Sequence, residues 1–380
     1  MQSPTRIEER ISLWEHFQEL EDPRATHLIE HQLLDILALT LCAVICGAES
    51  WVEVELYGKT KKAWLSSFLA LPNGIPSHDT IARLFAALNP NALTECFSRW
   101  VRSVAQLSAG EVIAIDGKTL RRSYDRGGHR GAIHMVSAWA SQNRLVLGQV
   151  KVDEKSNEIA AIPELLNLLD LSGALVTLDA MGTQTAIAEQ IVEAGGDYVL
   201  SLKGNQPTLH QDVVQLFDWL RKIDFEGVPH EFHQTVNDGH GRIEIRRHWL
   251  LSSVEYLETA SRWAGLKRVG MVESERRLAG RSPQIERRYY LLSLDRGVER
   301  FAEAVRSHWG IENQVHWVLD VAFGEDACRV RKDHAPENLS VVRRLALNLL
   351  RQDRSTKTGI KGKRLKAGWD NDFLLSLFHS

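Results

Sequence analysis

What this chain lacks removes several classes of protein at once. Its longest apolar stretch, residues 33–48, is interrupted by Asp35 and Thr40 and falls short of the roughly 20 apolar residues that cross a bilayer. Residues 1–10 are polar and hold no apolar core of the kind that directs secretion. The four cysteines, Cys42, Cys46, Cys96 and Cys328, lie in apolar surroundings without a second paired cluster, so packing is favoured over zinc ligation or a disulfide. With 46 basic against 49 acidic residues the formal net charge is −3, so no general basic excess marks a nucleic-acid protein and any such surface must be local. A soluble, reducing, cytoplasmic setting with no membrane partner is expected.

What is present suffices for two or three domains, because 380 residues exceed the size at which one core usually stops growing. Residues 1–105 read as all-helical. Leu33, Leu34, Ile36, Leu37, Leu41, Val44 and Ile45 recur at helical spacing, and Gly47 follows as a stop. A second segment, 77–85, follows the Pro-rich turn 71–76 with Ser77 as N-cap and carries Arg83. It has the layout of the second element of a helix-turn-helix, against the plainer reading of a packed helix.

From residue 111 the pattern changes. Strands are predicted at 111–116, 132–141, 144–152, 174–179 and 197–202, with helices at 157–170 and 183–194. Three strands in meander, then helix, strand, helix and strand, is the order of the ribonuclease H-like fold. In that fold the first and fourth strands are neighbours. Asp116 and Asp179 follow those two apolar strands where each leaves the core. Glu312 opens a helix-like stretch with Ile311, Val315, Val318, Leu319 and Ala322 at three- and four-residue spacing, competing with Glu303, Asp320, Glu325 and Asp326 as a third acid. Three convergent carboxylates suit Mg²⁺, and two such ions about 3.5–4 Å apart clamp both oxygens of an in-line phosphoryl displacement.

Residues 203–296 interrupt this unit with a helix near 207–222 and alternating runs at 231–236, 242–249, 268–272 and 288–292. In the second run, residues 242, 244, 246 and 248 fall on one strand face, a basic ribbon in which Arg242, Arg246 and Arg247 are candidates for phosphate contact. Trp249, at its end, is a candidate for stacking on an unpaired base. Helices resume at 298–308, 311–322 and 337–351. Residues 343–368 carry nine basic residues against the single acid Asp353, which reads as a solvated face or loose tail until 372–375. Trp309 and Trp317 read as core anchors, whereas His308 is placed for a hydrogen bond near a phosphate.

Taken together, Ile115-Asp116-Gly117-Lys118, Asp179-Ala180, the Leu-Lys-Gly-Asn-Gln of 202–206, the His-Trp-Gly-Ile-Glu-Asn-Gln-Val-His-Trp-Val-Leu-Asp-Val of 308–321 and the helical stretch ending at 71–81 carry a resemblance. The chain resembles, over nearly its whole length, the DDE transposases of bacterial insertion sequences, closest to the H-repeat-associated, Rhs-linked family. The resemblance implies an α/β protein in four parts. These are a helical transposase-associated domain at 1–105, a ribonuclease H-like catalytic core at 106–202 and 297–351, a β-rich insertion at 203–296 and a basic tail at 352–380. It implies that Asp116, Asp179 and Glu312 hold two Mg²⁺ or Mn²⁺ ions and catalyse cleavage and strand transfer on double-stranded DNA, element ends and target alike, as a homodimer. Many related transposases place a Tyr before the final Glu, an Arg four residues before it and a Lys seven after. Val305, His308 and Leu319 stand there in this chain, so phosphate contacts fall to His308, Lys118, Lys203 or Arg306. A nuclease of the same fold that cuts without joining, and a domesticated binder without activity, stay open as alternatives.

Overall fold

The computed structural model describes residues 12–379 apart from 107, 125–130, 154–155, 240, 253, 279 and 296; the polar start at 1–10 lies outside them. Helices come first: α1 Ser12–Glu15, α2 Leu33–Ile45, α3 Trp51–Leu65, α4 His78–Ala87 and α5 Pro90–Val104. Helix α2 is apolar all round and correspondingly buried at every position except Leu34. Its one acid, Asp35, accepts the amides of Ala70 and Leu71 at 3.3 and 2.8 Å, which satisfies a carboxylate that burial would otherwise penalise. Ser77 caps α4 as expected, and α4 turns Ile81, Leu84, Phe85 and Ala86 inward. The cysteines are free, with Cys42 and Cys96 buried. Among the described residues no helix is long and apolar enough to cross a membrane.

The chain then builds one nine-stranded sheet in the order β3-β2-β1-β4-β5-β9-β8-β7-β6. Its strands are β1 Val112–Thr119, β2 His134–Ala140, β3 Leu145–Lys151, β4 Leu175–Leu178, β5 Asp197–Leu202, β6 Glu231–Gly239, β7 Arg242–Leu251, β8 Arg268–Leu278 and β9 Gln284–Leu292. β1, β4 and β5 run parallel, while the remaining pairs are antiparallel. The stretch at 203–296, read from sequence as an interruption, prolongs this sheet, because β9 pairs with β5 from Val199↔Leu292 to Leu202↔Tyr289. Helices α6 Glu158–Asn167, α7 Thr185–Glu193 and α8 Pro207–Lys222 fill the crossovers.

Helix α9, Val298–Ile311, lies across one face of the sheet, its Phe301, Ala304 and Val305 clustering with Val112, Leu175, Val199, Leu250, Val272 and Leu292. Side chains alternate along each strand, so that face continues to Asp116, Ser201 and Arg288, and to the residue after β4, Asp179. α9 runs without a break through a π-turn, Glu312–His316, into α10, Trp317–Phe323. Glu312 therefore lies inside a continuous helical path and does not open a helix. Gly324, at φ 60°, stops α10 in the left-handed conformation, where a Cβ would also meet the Glu49 carboxylate.

The C-terminal stretch departs most from expectation. α11, Ala335–Gln352, packs against α2, α4, α5 and β3, and α12 Ile360–Trp369 and α13 Asn371–Ser376 follow it. The basic run is not a loose tail. Arg343, Arg344, Lys363 and Arg364 are buried. Lys363 donates to the Leu350 carbonyl, Arg364 donates to the Val44 carbonyl at 2.7 Å, and the Arg364 guanidinium lies 4.2 Å from the Phe323 ring centroid. Long basic side chains here tie helix ends together through carbonyls that helices leave unpaired, a use that a charge count cannot distinguish from a solvated face.

Candidate active site

Two ladder lengths place the first acid. The parallel ladder between β1 and β4 ends at Ile115↔Leu178, whereas the antiparallel ladder between β1 and β2 continues to Thr119↔His134. Asp116 thus lies within β1, not at its end, and is the first residue beyond the reach of β4, just as Asp179 is the first residue after β4. Gly117 follows, and the ends of the Glu158 and His134 side chains, hydrogen-bonded to each other, fill the space where a Cβ would stand, so a larger residue there would displace that pair. The π-turn inserts one extra residue into a helical turn, a device frequent at functional sites. It presents both Glu312 and His316 to Asp116.

Asp116, Asp179 and Glu312 line one cleft of about 350 Å³, together with Thr177, Lys203, Arg288, His308 and Trp309. The Asp116 carboxyl is pushed up to about 8, first by burial and then by the charges of Glu312 and Asp179, against the opposing Gly117 amide. Glu312 is held below its usual range, mainly through its contact with the His316 imidazole. Asp179 accepts the amides of Met181 and Gly182 at 3.0 and 3.1 Å, so it both turns the chain and faces the cleft. His308 shares a 2.9 Å hydrogen bond between Nδ1 and the Thr177 hydroxyl, and burial lowers its pKa against the pull of Asp179 and Glu312.

The Asp116 shift has an unusual sign. Its folded pKa exceeds the ordinary aspartate value, so above about pH 4 the folded state keeps a proton that the unfolded chain has released. Its contribution to stability is greatest at low pH and is lost as pH rises towards about 8. In EDTA the melting temperature is expected to drop between about pH 5 and about pH 8, with part of that drop absent in Asp116→Asn. Equal pH slopes in the two proteins would refute the assignment.

Not every sequence candidate reaches the cleft. Lys118 is buried and ion-paired with Asp320, Asp326 at 3.1 Å and Glu325 at 3.5 Å, so its charge is engaged by acids beside the cleft. Those pairings also account for three of the four acids that competed with Glu312, and the fourth, Glu303, pairs with Arg300 at 2.5 Å. Arg242 and Arg246 do share a face, paired with Glu244. Arg247 does not share it. As an odd-numbered position it points to the other side of the sheet, to Glu273 at 3.1 Å and Glu275 at 2.8 Å. Trp249 is enclosed by Phe225 and Phe232 at centroid distances of 5.8 and 5.2 Å, which accounts for it by packing. Trp309 and Trp317 are 44% and 61% exposed and are not core anchors, and Arg288 lies 4.9 Å over the Trp309 ring. Sequence reasoning left His316 and Thr177 without roles. The i,i+4 spacing of His316 from Glu312 and the i,i+2 spacing of Thr177 from Asp179 were the available signals.

Comparison with known proteins identifies the family. Residues 107–349 match the family described as Transposase DDE domain, and residues 14–101 match the family described as DDE_Tnp_1-associated. The "H repeat-associated putative transposase YhhI" of Escherichia coli (strain K12) is 43% identical over 369 residues, 96% of this chain and 97% of its own length. The "Putative transposase YncI" of Escherichia coli O157:H7 is 42% identical over 367 residues, 96% of this chain and 93% of its own. Among solved structures, a piggyBac transposase synaptic complex with hairpin DNA aligns with 98% of this chain and 78% of its own, at 11% identity and a TM-score of 0.39. A family match spanning the strands and helix that carry all three acids, and relatives alike over nearly the full length, mean that this chain belongs to the DDE transposases.

Proposed function

We propose that the chain is a DNA transposase that cleaves element ends and transfers the freed 3′ strand to target DNA, with Asp116, Asp179 and Glu312 as its catalytic carboxylates. The observation that carries this reading is their convergence, from β1, the end of β4 and the end of α9, on one cleft. In this reading residues 106–202 and 297–351 are a ribonuclease H-like core, 203–296 an insertion, 1–105 a DNA-associating helical domain and 352–380 a structural tail. The order β3-β2-β1-β4-β5, antiparallel then parallel, supports the core assignment.

The donor set fits divalent cations. Three carboxylates converge where burial and mutual repulsion already raise Asp116, and a hard cation offsets that repulsion. Asp116 and Asp179 would hold one Mg²⁺ or Mn²⁺, Asp116 and Glu312 a second. Bound there, such ions supply Lewis-acid stabilisation of the phosphoryl oxygens and lower the pKa of a bound hydroxyl. The protein's own part is positioning. β1 and β4 fix two carboxylates by sheet register, Thr177 orients His308 for a phosphate oxygen, and Lys203 at the rim adds positive charge. No covalent protein–DNA intermediate is required.

The test is incubation of the purified protein with DNA carrying its element ends and a supercoiled target, in Mg²⁺, Mn²⁺, Ca²⁺ or EDTA, with strands resolved on denaturing gels. Nicked and joined products in Mg²⁺ or Mn²⁺ and none in EDTA are expected. Cleavage in EDTA would overturn the metal reading. Cleavage that never joins a 3′ end to target would select the nuclease, and binding without cleavage in every cation the domesticated binder.

The face alternation predicts where the DNA runs. Arg242, Arg246, Arg276 and Arg288 occupy the α9 face of β7, β8 and β9, and Arg288 reaches the cleft. Arg247 and Arg287 occupy the other face, closed over Glu273. Arg242→Ala with Arg246→Ala is expected to lower the salt dependence of DNA binding by about one unit per lost phosphate contact, whereas Arg247→Ala leaves it unchanged. Fluorescence anisotropy across a salt series decides it. A lower slope for Arg247→Ala alone would move the DNA to the opposite face.

A further inference from the structure

The π-turn sets His316 beside the carboxylates in a way the carboxylate triad does not require. His316 is 4% exposed, yet its Nδ1 lies 3.5 Å from Asp116 Oδ2 and 3.6 Å from Glu312 Oε2, longer than a good hydrogen bond to either. Its Nε2 is buried with no hydrogen-bond partner among the described residues. A buried imidazole is normally fixed by hydrogen bonds, so a ring held against two carboxylates by such long contacts calls for another partner. The spacing identifies one. Donor atoms about 2.0–2.2 Å from a shared ion stand about 3.0–3.6 Å apart, which is the separation observed on both sides of Nδ1. One donor atom from each of Asp116, Glu312 and His316 lies within 4.8 Å of the others. Asp179 faces the same cleft but lies outside this grouping, its Oδ1 turned to the amides of Met181 and Gly182.

We propose that His316 Nδ1 is a direct ligand of the cation held by Asp116 and Glu312, giving that position a mixed nitrogen and oxygen donor set selective for a first-row transition cation such as Mn²⁺ over Mg²⁺. This rests on the carboxylate reading above and adds a ligand to it. Chemistry supports the selectivity, since Mg²⁺ favours oxygen donors whereas imidazole strengthens binding of the transition series. The site is also assembled by helix geometry. Glu312 and His316 belong to the same π-turn, and the Glu312 carbonyl accepts the Trp317 amide in the i,i+5 bond that defines it, so both side chains are fixed by one local backbone feature.

The experiment needs no DNA and no turnover. The full-length protein is loaded with one equivalent of Mn²⁺, and electron spin echo modulation reads ¹⁴N coupling from a ligated imidazole, while calorimetry gives Mn²⁺ and Mg²⁺ affinities. Expected are a ¹⁴N coupling in the parent and in His308→Gln, its loss in His316→Gln, and a roughly tenfold fall in Mn²⁺ affinity in His316→Gln with a smaller change for Mg²⁺. Should His316→Gln not fold, the coupling in the parent and in His308→Gln still decides. Mn²⁺ bound without ¹⁴N coupling, but abolished by Asp116→Asn, would overturn the histidine ligand and leave the carboxylates in place. Loss of coupling in His308→Gln would overturn it in favour of the neighbouring ring. A parent protein that binds neither cation would overturn both this inference and the metal reading beneath it.

Discussion

Asp116→Asn and Glu312→Gln are each expected to reduce DNA strand cleavage by about a thousandfold or more, equivalent to about 4 kcal/mol of barrier. Each substitution keeps the shape of the side chain and removes one formal charge from the cleft, so the loss should fall on chemistry and not on folding. Asp116 is the more telling position. Its carboxyl is largely buried and pushed up to about 8 when the cleft holds no cation, so at neutral pH folding of the apoprotein must take up a proton there, a requirement that the neutral amide removes. Asp116→Asn should therefore melt no lower than the parent in EDTA at neutral pH while failing to cut. Gel-resolved cleavage and a thermal melt on the same preparation check both halves. Parental cleavage by a folded Glu312→Gln protein would reassign the third acid.

The largest expected loss of stability lies behind the site. Arg344 and Glu325 are both fully buried and paired at 3.0 Å, with Arg344 also reaching the Ser340 hydroxyl and Ser137 at 3.4 Å. Burial alone would raise the Glu325 carboxyl, but Arg344 and Lys118 outweigh it and hold the group ionised. Arg344→Met should lower unfolding free energy by about 3–5 kcal/mol, because removing one partner leaves an incompletely compensated buried charge. Pairing it with Glu325→Leu should restore most of that loss, since the unpaired charge goes too. Denaturant titration of the parent, both single variants and the double variant measures the coupling. A single-variant loss below about 1 kcal/mol would show that the interior at Glu325 is wetter than its burial indicates.

The same network reaches the cleft strand. Lys118 shares the β1 face of Asp116 and joins Asp320, Glu325 and Asp326. The strand that carries the first acid is thereby tied to the segment after α10, just beyond the π-turn that carries the third.

Much of this was legible in the residues. The apolar β-branched runs ending near Asp116 and Asp179 become β1 and β4, and the helical spacing of Val315 and Leu319 becomes a buried stripe behind Glu312. These are local signals, a period and a chain position, and they hold because burying an apolar face dominates the energetics of a strand or helix. Other expectations failed for equally physical reasons. The basic run of the last forty residues reads as solvated because a one-dimensional charge count contains no information about which carbonyls lie opposite Lys363 and Arg364. Trp309 reads as core because aromatics usually are, yet it stands at the cleft under Arg288.

The sequence by itself determined the two strands that lead to Asp116 and Asp179, the helical character of the stretch around Glu312 and the family to which the chain belongs, because each rests on patterns and motifs local to the chain. Tertiary structure alone decided the rest: that β9 joins β5 and makes the insertion part of one sheet, that Lys118 is engaged by acids, that Arg247 faces away from Arg246's partners, and that a π-turn brings His316 to Asp116. Those outcomes depend on register between distant strands and on one extra residue in a helical turn. Register and helix phase are set by packing summed over the whole sheet, so no short window of residues encodes them.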